Sequence, residues 1–61
     1  MLTDDNCAGA FLYLGWAHDN MVIARHVEPE RREFWVREAI ANLRTAALKM
    51  GFELVQQDDG K

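Results

Sequence analysis

A single cysteine, Cys7, is all the thiol this 61-residue chain has, so no internal disulfide can staple it. A lone thiol suits a reducing compartment, and a cytoplasmic location is the expectation. Only two imidazoles, His18 and His26, stand beside that thiol as soft metal ligands. No apolar run approaches the roughly 18 residues a membrane span requires. The longest candidate, residues 7–17, is broken by Gly9 and Gly15. Residues 2–6 read Leu-Thr-Asp-Asp-Asn, without the positive start of a secretory signal. Basic charge is in deficit: seven Lys and Arg face ten Asp and Glu, a formal net charge of −3. That balance disfavours nonspecific nucleic-acid binding, which draws on net positive charge. Internal repeats and low-complexity segments are missing as well.

What is present is apolar and helix-forming. Hydrophobic residues make up 49% of the chain, too many for an intrinsically disordered segment of low net charge. A domain of this size nevertheless buries only about 60% of the surface its unfolded chain exposes. Residues 29–50 carry the strongest pattern. Pro29 suits a first helical turn, where its missing N–H costs nothing, and Gly51 suits a left-handed stop. Glu30 and Glu33 lie toward the positive end of the helix dipole and Lys49 toward the negative end. Val36, Ile40, Leu43, Ala47 and Met50 recur at helical spacing as one stripe, and Phe34, Ala41 and Leu48 as a second.

The first half admits two readings. Thr3 is a good N-cap followed by Asp4 and Asp5. Cys7, Ala10, Leu14, Ala17, Met21 and Ala24 then recur at alternating steps of three and four, which predicts a helix over 4–27 with a small-residue seam. The alternative is a β-hairpin over 11–27 turning at His18-Asp19-Asn20, in an α+β arrangement with the long helix and a short C-terminal strand. The turn lacks the Asn-Gly or Asp-Gly pair of tight hairpins, and helix is preferred. Glu28-Pro29 makes the connection in both readings. The expected fold is therefore mainly α: a helical hairpin with helices at 4–27 and 29–50, followed by a short extended segment around Phe52–Val55. Residues 1–57 form one domain, and 58–61 a flexible tail.

Such a chain has a packing deficit. Two antiparallel helices make one layer, and one layer cannot bury two apolar stripes against itself. Small cores rarely supply more than about 3–5 kcal/mol without a disulfide, a metal or a partner. Association is the device left, and the surplus of Phe11, Leu12, Trp16, Phe34, Trp35 and Leu48 is assigned to it in part. Phe11, Trp16, Phe34, Trp35 and Leu48 are the candidate interface residues, since large aromatic side chains anchor interfaces. The partner is another protein or a second copy of the chain, face to face in a four-helix arrangement.

Catalytic and metal chemistry find little support. On one helix Cys7 and His18 would lie about 16 Å apart along the axis, too far to share an ion. The side chains of neighbouring His18 and Asp19 are expected to point apart. Cys7 near a helix start could be activated as a nucleophile, but no Cys–His or Ser–His–Asp pattern accompanies it. Glu28, Glu30, Glu33 and Glu38 alternate with arginines, as a solvated helix face does. No catalytic, cofactor or metal residues are assigned. The expected function is a non-catalytic interaction module, either adaptor or inhibitor. Phage- and mobile-element-type inhibitors of nucleic-acid-processing assemblies share its size and acidity. The alternative is a small helix-turn-helix regulator that contacts DNA through Arg31, Arg32, Arg37 and Arg44 on the 29–50 helix.

Overall fold

A computed structural model describes residues 2–57. It contains two helices, α1 at Asp4–His26 and α2 at Pro29–Lys49, and among the described residues no strand. The helical hairpin is confirmed, each helix ending one residue earlier than its pattern predicts. The β-hairpin over 11–27 is not formed: that stretch is helix to His26. Two glycines inside α1 do not break it, because each costs only about 1 kcal/mol relative to alanine.

Each end has its local cause. Thr3 caps α1, its Oγ1 accepting from the Asn6 N–H at 3.1 Å, with Asp4 and Asp5 on the positive end of the dipole. Pro29 ends α1 from the far side. A continued helix would drive its ring into the preceding turn, and Glu28 is forced extended at φ −64°, ψ 149°. Pro29 is at the same time the start of α2. Ala24 keeps a carbonyl with no partner inside α1's last turn, and Arg32 Nε donates to it at 2.9 Å across the turn. At the far end of α2, Gly51 takes φ 91°. Its N–H donates to Leu48 O at 3.1 Å and the Phe52 N–H to Ala47 O at 2.8 Å, the paired bonds of a Schellman stop.

The helices run antiparallel and touch along their length. Arg32 meets Ala24 near the loop, Asn42 Nδ2 donates to Asn20 Oδ1 at 2.7 Å midway, and the Lys49 ammonium lies 5.9 Å from the Tyr13 ring centre near the open end. The buried residues are Ala10, Ala17 and Ala24 on α1 and Ala39, Ala46 and Ala47 on α2. Within each helix the seam alanines (10, 17, 24 and 39, 46) stand seven apart, the repeat that keeps one line of a helix facing its neighbour. Alanine on both sides lets the two backbones approach closely.

This seam corrects two expected stripes. On α1 the alanines are buried as the pattern requires, but Cys7, Leu14 and Met21 are exposed. On α2 the seam runs through Trp35, Ala39, Asn42, Ala46 and Lys49, one residue behind the expected Val36, Ile40, Leu43, Ala47 and Met50, of which Ala47 is buried and Val36 half-buried while Ile40, Leu43 and Met50 are exposed. One residue is 100° of rotation, so the large apolar stripe is turned to the flank of the seam. The C-terminal segment forms no strand; it runs beside Arg44 and Leu48 of α2 with Leu54 41% exposed, but does not tuck Phe52 and Val55 onto the helices. Phe52 and Val55 are 71% and 80% exposed. The tail expected over 58–61 lies outside the described residues.

The product is a single layer. Its thinnest dimension is 10 Å between Cα extremes, and its radius of gyration is 13.2 Å. A compact domain of this length would have a radius near 10.5 Å (about 2.2·N^0.38). No side chain larger than alanine is buried among the described residues.

Candidate functional site

The two flanks of the seam differ in chemistry, and a simple register shows it. The residues three positions after a seam alanine are Tyr13 and Asn20 on α1 and Asn42 and Lys49 on α2. These four meet in pairs: Asn20 with Asn42 through a hydrogen bond, Tyr13 with Lys49 through the ring face. They therefore lie on one side of the layer. Tyr13 also packs edge-on against Trp16, the ring centres 5.1 Å apart, and Trp35 is half-buried on this side. Polar groups cap this flank and satisfy one another, and no buried side-chain nitrogen or oxygen among the described residues lacks a partner.

The residues four positions after the same alanines are Leu14, Met21, Leu43 and Met50. Four residues advance a helix by 40° past a full turn and three fall 60° short, so these side chains emerge on the opposite side of the layer. Val36, three before Ala39, and Ile40, one after it, stand at about 60° and 100° from the seam on the same side and widen the row on α2. Leu14, Met21, Ile40, Leu43 and Met50 are each between 38% and 45% exposed, and Val36 is half-buried. Each of these side chains is thus partly covered and partly in water. The result is an apolar face formed by both helices, flanked by Cys7 and Arg25 on α1. Methionine at two of its positions adds a flexible side chain that packs against varied shapes.

The five candidate interface residues do not share one surface. Trp16 and Trp35 belong to the capped flank. Phe11, one residue past Ala10 as Arg25 is past Ala24, stands 79% exposed at the α1 edge of the apolar face, while Phe34 and Leu48 occupy the outer side of α2. Phe34 packs edge-on against Trp35 at 5.1 Å between ring centres, which bridges two of them. The face itself is drawn from residues that the apolar periodicity assigns to the interior. Its signal in the sequence was the seven-residue spacing of the alanines, which marks the true seam one position away from the larger side chains.

The arginines of the nucleic-acid alternative are dispersed. Arg31 Nε lies 3.8 Å from Glu28, Arg37 Nη2 lies 2.7 Å from Glu33, and Arg32 Nε is engaged by the Ala24 carbonyl. Arg44 borders a shallow depression under the C-terminal segment with Leu48, Glu53, Leu54 and Val55. Helices packed side by side along their length also differ from the crossed pair of a helix-turn-helix, which meets at roughly 90–120°. Among the described residues no three His, Cys, Asp or Glu side chains come together as a metal site. His18 Nδ1 and Asp19 Oδ1 stand 3.5 Å apart, contrary to the divergence expected of neighbours on a helix, but both side chains are on the open surface. No helix among the described residues is long and apolar enough to cross a membrane. No family model matches the chain, and no curated protein or solved structure matches it.

Proposed function

We propose that the chain is a protein-interaction module that works by covering the Leu14–Met21–Ile40–Leu43–Met50 face with a partner. One observation carries this: among the described residues the interior holds alanine alone, and every larger apolar side chain keeps part of its surface in water. Contiguous exposed apolar patches on a soluble chain mark interaction sites. The module acts by occlusion or bridging and not by bond chemistry, as an adaptor or inhibitor does. A small acidic inhibitor of a nucleic-acid-processing assembly is one form such a module takes.

The test compares the wild-type chain with Ile40→Glu/Leu43→Glu in an extract of the source cell, sized under native conditions. The wild type should migrate well above its 7.0 kDa and the variant should not, with equal helicity by circular dichroism. A wild-type chain migrating as a free monomer in that extract would refute the proposal.

A further inference from the structure

We infer that the occupant of this face is a second copy of the chain, turned end for end, so that two hairpins close into a four-helix bundle. The inference rests on the interaction reading above and adds the identity of the partner. Its first support is area. The chain exposes 5191 Å². A compact monomer of this mass shows about 4,000 Å² (6.3·M^0.73), which leaves an excess of roughly 1,100 Å². Both the extended segment after Gly51 and the flatness of the layer, 10 Å thick, add to it. A stable interface takes about 800 Å² from each partner, and obligate homodimers take more. The excess is of the size that one face-to-face contact removes.

The second support is self-complementarity. A two-fold interface sets one patch against its own copy, so the patch must tolerate itself. Leu14, Met21, Val36, Ile40, Leu43 and Met50 carry no charge and no hydrogen-bonding group that would need a distinct counterpart. The opposite flank is less suited, because its polar groups Asn20, Asn42 and Lys49 already meet partners within the chain and would lose water on contact with a copy.

Charge chooses the orientation. The open end of the hairpin carries Asp4, Asp5 and Glu53 against Lys49 alone, a net −2 among the described residues. The loop end carries Arg25, Arg31 and Arg32 against Glu28, Glu30 and Glu33, and is balanced. A two-fold axis along the helices would stack the two acidic ends on each other. An axis across the helices sets each acidic end over a balanced loop end, and it places α1 on α1 and α2 on α2, all antiparallel. Arg25, which flanks the face, forms no salt bridge with a described carboxylate, so it is available to Asp4 of the other copy.

Two measurements on the purified chain test this. Sedimentation equilibrium from nanomolar to submillimolar concentration should give twice the 7.0 kDa mass at the upper end, and Ile40→Glu/Leu43→Glu should hold it at one chain. A nitroxide on Cys7 then reports the orientation. Cys7 lies eight residues from the middle of α1, so end-for-end packing separates the two labels by roughly 24 Å along the axis, at 1.5 Å per residue. Stacking of like ends would leave almost no axial separation and strong dipolar broadening. A dimer with the long distance supports the inference. A wild-type monomer at every concentration, a trimer, a dimer indifferent to the paired glutamates, or labels in close contact would overturn it. A pure monomer that is nevertheless held in a large complex in cell extract, and released by the same glutamates, would leave the interaction module standing with a different partner.

Discussion

Gly15→Ala should stabilise the chain, and comparison with Gly9→Ala makes the expectation sharp. Both glycines sit inside α1, where alanine is favoured by about 0.5–1 kcal/mol through lost backbone freedom in the unfolded chain. Their surroundings differ. A Cβ at Gly15 meets nothing within 4 Å, since this position faces away from α2. A Cβ at Gly9 would stand 2.6 Å from Lys49 Cδ and 2.9 Å from Cε. That aliphatic stem can swing aside, but it then leaves Gly9 and the Tyr13 ring. Gly15→Ala therefore keeps the full gain and Gly9→Ala a fraction of it. For a domain of this size 1 kcal/mol moves the melting temperature by about 4–8 °C, so the rise expected for Gly15→Ala is about 2–8 °C. Thermal unfolding followed by circular dichroism at one fixed chain concentration measures both. A larger rise for Gly9→Ala than for Gly15→Ala, or a loss at Gly15, would refute the assignment of seam and solvent sides of α1.

The remaining expectations concern seam, register and stop. Ala46 is 0% exposed between the helices, so Ala46→Leu must push them apart, with an expected loss of about 1–3 kcal/mol in a denaturant titration. Asn42→Ala removes the half-buried bond to Asn20 and leaves its carbonyl unpaired, an expected loss of about 1 kcal/mol by the same method, and one not seen in an Asn20→Ala background if the pair is the cause. Gly51→Ala places a Cβ at φ 91° and should cost about 1 kcal/mol, with amide exchange accelerating first at Phe52, whose N–H bonds Ala47.

The elements of this fold are written in local chemistry. Thr3, Pro29 and Gly51 each act through the backbone geometry of their own position, so the helix ends fall within a residue of expectation. The rotation of each helix is not written the same way. Periodicity ranks stripes by hydrophobicity, and on α2 the most hydrophobic stripe is Val36, Ile40, Leu43, Ala47 and Met50. Packing ranked them by size instead. Alanines at 10, 17, 24, 39 and 46 allow the closer approach, while asparagines and a lysine at the intervening positions find partners across the seam. Trp16 and Trp35 lie off the proposed face, where they pack against Tyr13 and Phe34 on the capped flank and the α2 edge.

The claim beneath all of this is that folding alone leaves the Leu14–Met50 face wet, so that stability is tied to association. Mass action makes that measurable, because anything bound only to the native state raises the melting temperature with its concentration. Thermal unfolding of the purified wild-type chain over a wide range of dilutions should give a melting temperature that climbs steadily with chain concentration, and Ile40→Glu/Leu43→Glu should abolish the climb. A cooperative transition at one temperature, unmoved by dilution, would contradict the pairing of the face with a second copy of the chain.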